Sequence, residues 1–293
     1  MKILNFGSIN KDYVYSVNEF VSPGETIKTN DFKEFLGGKG LNQSVAVSRS
    51  GSKVYHAGCI NNNDEIIKKQ LNEWGVDTSY IYDVDEPTGH AIIQVNTYGE
   101  NSILIHGGAN LKVTSKQIDQ TISKFREDDI LIIQNEINKV SEIIDRAYSQ
   151  KMKIIFNPAP FSKEVLDYPL KKINTLIYNE VEGIGLSGKN NIKDIKLELL
   201  EKLPMVNHII TLGEKGSLYF NHNEEISVQA HSVNTIDTTA AGDTYVGYYI
   251  STLTKKIGIK ECMEKATKAA GITTEKIGGA ISIPTIDLSL IHI

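Results

Sequence analysis

Short apolar runs alternate with helix-length amphipathic segments through most of the chain. The runs KILNFGSI (2–9), KVYHAGCI (53–60), DILIIQ (129–134), KIIFNPAP (153–160), TLIYNE (175–180) and NHIITLG (207–213) read as strands. Their near-continuous apolar character suits strands covered on both faces. Between them, apolar residues recur at helical spacing over 41–50, 64–74, 115–125, 139–150 and 192–203, and again over 241–254 and 260–274. Strands and helices in this alternation predict an α/β fold with a mainly parallel central sheet and helices on both faces. Two zones break the rhythm. Around 12–36 and 88–106 the pattern is strand-like, in GETIKTNDFKEF, GHAIIQV and ENSILIH, with no helix between paired runs. A small antiparallel sheet beside the main one is expected there, placed to act as a lid. No repeat or low-complexity linker interrupts the pattern, so residues 1–293 are expected to form one domain with these lid strands inserted.

Composition narrows the function classes. The net charge of -5 and the lack of a Lys/Arg stripe argue against a nucleic-acid partner. Cys59 and Cys262 lie far apart without metal-ligand spacing, as buried thiols in a reducing compartment would. The opening MKILNFGSIN reaches polar residues too early for a signal peptide, and no apolar run approaches a membrane span. A soluble, cytoplasmic protein acting on small molecules is the expectation.

The most informative stretch is DTTAAGDTYVG, residues 237–247. Val246, Tyr249, Ile250 and Leu253 build one apolar helical face, which puts Ala240, Ala241 and Gly242 in or just before the first turn. Amides there lack intrahelical partners and point along the positive end of the helix dipole. Small side chains let an anion approach them. Asp243, in the same turn, is expected to stay ionised. A carboxylate beside an anion hole suits phosphoryl transfer to a hydroxyl, with the acid as base and the amides holding phosphoryl charge. An acidic residue in a first turn also serves as a plain helix cap, and spacing alone does not separate the two.

FLGGKGLNQSVAVSRSG (35–51) opens a second helix with glycines. Gln43 stands where a dinucleotide fingerprint needs its third glycine, so a hydroxylated ligand held by Lys39 and Asn42 is the better functional reading, against simple helix-packing glycine. GIGLSGKN (183–190) nearly spells a phosphate loop but lacks its Ser/Thr and reads as a helix cap and turn. Asn10 and Asp12 follow the first strand, Glu136 follows DILIIQ, and Asn179 and Glu182 lie in YNEVEG, at the end of a later strand. These are strand ends where open parallel sheets bind ligands. TLGEKG (211–216) ends a further strand and by itself reads as a hairpin turn.

Taken together, GSINxD, PGET, GGKGxNQxVAxSRxG, GEN, GAN, NPAP, NExE, TLGxKG and DTxAAGDTxxG resemble the ribokinase-like carbohydrate kinases, in order and across nearly the whole chain. The resemblance implies an ATP-dependent kinase acting on the primary 5-hydroxyl of D-ribose, with deoxyribose or a nucleoside as alternative acceptors and a catalytically silent sugar sensor as a rival. It implies Asp243 as catalytic base and Ala240, Ala241 and Gly242 as anion hole. Sugar contacts would come from Asn10, Asp12, Gly38, Lys39, Asn42, Glu136 and Asp243. Asn179, Glu182, Thr211, Leu212, Gly213, Glu214, Lys215, Gly216 and Gly242 would meet the nucleotide, with Glu182 helping to organise Mg2+ and phosphate. A K+ ion would be held by Asp237, Thr239, Thr273, Lys276, Gly278 and Ser282, several through backbone carbonyls. A homodimer through the lid is implied as well. Three departures stand out: Thr267 where many relatives place an asparagine near the adenine, Ile281 where a proline is common, and an ending at SIPTIDLSLIHI that leaves little or no C-terminal helix.

Overall fold

The computed structural model describes residues 1–291. The chain runs through β1 (Ile3–Phe6), β2 (Asn10–Ser16), β3 (Asp31–Gly37), α1 (Lys39–Arg49), β4 (Val54–Asn61) and α2 (Glu65–Glu73). Next come β5 (Val76–Val84), β6 (Gly89–Val95), β7 (Asn101–His106), α3 (Ser115–Ile122), β8 (Ile130–Gln134), α4 (Val140–Ser149) and β9 (Lys153–Asn157). The remainder is β10 (Thr175–Asn179), α5 (Glu180–Ser187), α6 (Ile192–Lys202), β11 (Asn207–Thr211), β12 (Ser217–Phe220), β13 (Glu225–Val228), α7 (Ala241–Leu253), α8 (Ile259–Thr273) and α9 (Ile286–Ile291).

Nine strands form the large sheet in the order β13-β12-β11-β10-β9-β8-β1-β4-β5. Pairing is parallel from β11 through to β5, and the β12–β13 hairpin closes one edge antiparallel. Alternate side chains of each strand feed two cores. Ile3, Val54, Ile132, Ile155, Ile177 and Ile209 pack with α1, α7 and α8 on one face, and Leu4, Phe6, Ile133, Phe156, Tyr178 and Ile210 pack with the helices of the other. Both faces being buried is why the strands carry unbroken apolar runs. Each fully buried Leu, Ile or Phe contributes roughly 1.5–3 kcal/mol of transfer free energy.

The expected small sheet is present with a different pairing. Its order is β3-β2-β6-β7, and the two antiparallel hairpins β2–β3 and β6–β7 are joined by a parallel β2–β6 pair, so it is mixed and not antiparallel. Both inner strands leave the large sheet in the same direction, which forces that parallel pair. The expected strand at 24–35 begins only at Asp31, and residues 24–30 form no strand. α9, six residues long, is the little C-terminal helix that the sequence leaves room for. Of GIGLSGKN, residues 183–187 are the second half of α5 and Gly188 is its left-handed cap, with the rest beyond the helix. Among the described residues no helix is long and apolar enough to cross a membrane.

Helices α1 and α7 lie side by side because Gly247 lets them. A Cβ at Gly247 would fall 2.3 Å from Ala46 Cβ and 2.8 Å from the Val47 amide. At the other end of α1, a Cβ at Gly40 would fall 2.3 Å from the Ser8 amide, so the helix abuts the end of β1. We expect Gly247→Ala to cost about 1–3 kcal/mol in urea unfolding, despite alanine's better helix propensity, because the contact is already closed. Gly258→Ala, where a Cβ would meet no atom within 4 Å, should stay within ~1 kcal/mol of the parent.

Candidate active site

A cavity of about 980 Å³ opens where the parallel strands of the large sheet end, beneath the small sheet. The position follows from topology. Loops at the C-terminal strand ends meet there, and α1 and α7 both begin there. Asn42 and Gln43, in the first turn and a half of α1, meet Asp243 at the start of α7. Asn42 Nδ2 donates to Asp243 Oδ2 at 3.0 Å, and Gln43 Nε2 donates to Asp243 Oδ1 at 2.9 Å. Asp243 is only 6% exposed, yet it forms part of the cavity wall. Asn42 Oδ1 is buried without a hydrogen-bond partner.

The start of α7 is strained and open. Ala240 sits at φ +62, a left-handed conformation that alanine adopts only at a cost. The amides of Gly242 and Asp243 have no protein acceptor among the described residues. The Ala241 amide does, donating to Thr238 O at 3.2 Å, and Ala241 is not on the cavity wall. Of Ala240, Ala241 and Gly242, where an anion hole is expected, Ala240 and Gly242 line the cavity, and the Gly242 amide is without a protein acceptor among the described residues.

Opposite stands a group of charges. Glu136 Oε2 accepts from Ser8 Oγ at 2.5 Å and from the Lys39 amide at 2.9 Å. Burial pushes the Glu136 carboxyl up, while the Lys39 charge and these hydrogen bonds pull it back. Lys39 is held above the usual lysine range chiefly by Asp243, against the cost of burial, with Glu136 and Glu182 adding to the effect. Asp12 is pushed up to about 7, first by burial and then by the charges of Glu136 and Asp243. Asn10 is fixed by Asn110, whose Nδ2 donates to Asn10 Oδ1 at 2.7 Å and whose Oδ1 accepts from the Ile9 amide at 2.9 Å.

A family model for pfkB family carbohydrate kinases matches residues 1–286. The chain belongs to that family. It is 34% identical to a ribokinase of Haemophilus influenzae, over 95% of this chain and 94% of the relative. It is 30% identical to a deoxyribokinase of Salmonella typhi, over 98% and 97%. Among solved structures, Arabidopsis thaliana ribokinase complexed with ribose and ATP superposes with a TM-score of 0.87 at 25% identity, covering 99% of this chain and 97% of that one. The protein is thus a sugar kinase of the ribokinase type.

In this pfkB kinase the residues expected at the sugar come together. Asn10, Asp12, Gly38, Lys39, Asn42, Glu136 and Asp243 all line the cavity. Of the residues expected at the nucleotide, Asn179, Glu182, Thr211, Gly213 and Gly242 line it, whereas Leu212, Glu214, Lys215 and Gly216 belong to the turn that joins β11 to β12 and lie off the wall. Asn179 and Glu182 are also a capping box for α5, each side chain bonding the other's amide at 2.8–2.9 Å. Burial pushes the Glu182 carboxyl up. Thr267 is buried against Ser217 and not on the wall. Asp237, Thr239 and Gly278 line the cavity. Asp237 Oδ1 accepts from the amide and hydroxyl of Thr239, and its Oδ2 accepts from the Gly278 amide at 2.9 Å, tying the start of α7 to the glycine turn. Thr273, Lys276 and Ser282 lie off the wall; Thr273 Oγ1 donates within the core to Ala269 O. Among the described residues no group of three or more His, Cys, Asp or Glu could hold a metal ion.

Sequence reasoning gave no role to Gln43, Asn110 or Asn157. All three lie inside motifs that resemble the family, GGKGLNQ, GAN and NPAP, and the resemblance assigned them no contact.

The raised Asp12 carboxyl has a consequence for stability. The folded chain keeps a proton that the unfolded chain releases near pH 3.8, so stability falls as pH rises from about 4 towards 7. Asp12→Asn removes that loss. Its melting temperature should exceed the parent's by several degrees at pH 8, by less at pH 5, and not at all below pH 4. An equal shift at all three pH values would contradict the burial of a charged group here.

Proposed function

We propose that this kinase transfers the γ-phosphoryl of ATP to the primary 5-hydroxyl of D-ribose, giving ribose 5-phosphate and ADP. The observation that carries the reading is the shared position of Asp243 and the unpartnered Gly242 amide at one helix start, on the wall of one cavity. Asp243 accepts the hydroxyl proton, the 5-oxygen bonds to the γ-phosphorus, and the bond to the ADP oxygen breaks. The Gly242 amide, the α7 dipole and Lys39 stabilise the charge on the phosphoryl oxygens. Asp12, Glu136, Asn10 and Asn42 supply acceptors and donors for a polyhydroxylated ring. The roof is aliphatic, with Val14, Ala91, Ile93, Val95, Ile103 and Ile105 facing the cavity, which excludes water above the sugar.

Two carboxylates beside the acceptor disfavour a phosphorylated sugar. The deoxyribokinase relative supports deoxyribose as a second acceptor. The apolar roof suits the base of a nucleoside as a third. Glu182 and phosphate oxygens would hold Mg2+, which neutralises phosphate charge when bound. Asp237 and the carbonyl oxygens of the 273–282 turn are an oxygen-only donor set, which suits K+. The small sheet acts as a lid on one domain. Its outer face carries Tyr13, Tyr15, Phe32, Ile92 and the 67% exposed Leu104, an apolar surface for a homodimer. ATP use and two buried free cysteines fit a cytoplasmic enzyme.

ADP release, assayed against ribose, deoxyribose, fructose, fructose 6-phosphate and adenosine, should be fastest with ribose. No sugar-dependent release would support the silent sensor. Asp243→Asn should lower kcat by roughly three orders of magnitude or more with a modest change in sugar KM. Near-parental kcat in that variant removes the base from the mechanism. Rates in K+ should exceed those in a large organic cation, and equality removes the K+ site.

A further inference from the structure

We propose that Gln43 is a positioning residue for the base, holding the Asp243 carboxylate in its reactive orientation as the last link of a buried amide chain. The inference rests on the reading of Asp243 as base. Both hydrogens of Gln43 Nε2 are used, one on Asp243 Oδ1 at 2.9 Å and one on Asn157 Oδ1 at 3.0 Å. Gln43 Oε1 accepts from Gln134 Nε2 at 2.7 Å, and Gln134 Nε2 also donates to Asn5 Oδ1 at 2.9 Å. Asn5 Nδ2 donates to Gly40 O at 2.7 Å and Ser44 Oγ at 2.9 Å, and Ser44 Oγ meets His56 Nδ1 at 2.8 Å. Asn157 Nδ2 donates to Ile177 O at 2.8 Å. Gln43, Gln134, Asn5, Ser44 and His56 have no exposed surface at all.

The chain leaves Gln43 one orientation. Turning its amide over would set Oε1 against the Asp243 carboxylate and Asn157 Oδ1, and Nε2 against Gln134 Nε2, exchanging three hydrogen bonds for three repulsions. Burial holds His56 neutral, down at about 4, so the far end brings no charge. A core of this size with six linked polar side chains is costly unless it specifies something. What it specifies is the plane of one carboxylate: Gln43 and Asn42 bind one oxygen each, on a residue that lines the cavity.

The charged groups facing Asp243 are Lys39 from α1, Asp12 from β2, Glu136 after β8 and Glu182 from α5. All four remain in a Gln43 variant, so the variant reads Gln43 alone. The test uses the full-length enzyme with Mg2+ and K+, kcat and sugar KM from pH 5 to 9, and a carbon-13 carboxyl titration of Asp243 assigned by its loss in Asp243→Asn. Removing a donor from the ionised form disfavours it, so Gln43→Leu should move the acid limb of kcat and the carboxyl titration up by roughly one pH unit. Plateau kcat should fall about tenfold or more through lost alignment, with sugar KM within about threefold. Gln43→Glu, of the same shape, adds a second carboxylate and should move both further up; it carries the test if the leucine variant does not fold. A lower melting temperature with an unmoved limb and titration makes Gln43 a packing residue and overturns the proposal. A fully active Asp243→Asn overturns the base itself, and the titration then still decides whether Gln43 holds the carboxylate.

Discussion

The site depends on the contact between α1 and α7. Each helix begins at the cavity, one bringing Lys39, Asn42 and Gln43 and the other Gly242 and Asp243. Their separation is set by Gly247 against Ala46 and Val47, where no side-chain atom fits. A wider spacing would break the 2.9 and 3.0 Å bonds to Asp243 before it disturbed either helix. Glycine inside a helix is unfavourable by about 1 kcal/mol, so here a local preference yields to a tertiary distance.

Around that contact the chain concentrates charge where burial disfavours it. Asp12, Glu136, Glu182 and Asp243 share one cavity with Lys39, the single cationic side chain on its wall among the described residues. Like charges at this density weaken the ligand-free fold and favour a ligand rich in hydroxyl donors. In the proposed reaction the same carboxylates would accept from a sugar and repel a sugar phosphate, so stability and selectivity would be set by the same side chains.

Most of the fold was legible because the central strands are buried on both faces and say so in unbroken apolar runs such as ILII and KIIF. The edge strands were not. β5 reads VDTSYIYDV, broken by polar residues because it lies at the sheet edge with β4 as its one neighbour, and β12 and β13 are four residues each. The small sheet was placed correctly from its strand pattern, but the parallel β2–β6 pair joins segments almost 80 residues apart, which no local pattern encodes. Asp243 was visible from its helix start. Gln43 was visible only as a letter of the GGKGLNQ motif, because its partners Gln134, Asn5 and Asn157 arrive from three different strands.

Asp12 belongs to β2, in the small sheet, whereas Glu136 and Asp243 belong to the body of the large one. Any hinging between the sheets carries one acid and leaves two behind. Were the small sheet to approach with the chamber vacant, three acidic groups would be crowded together, a cost like that of compressing a spring. Hydroxyls donated by a guest to those groups would offset it.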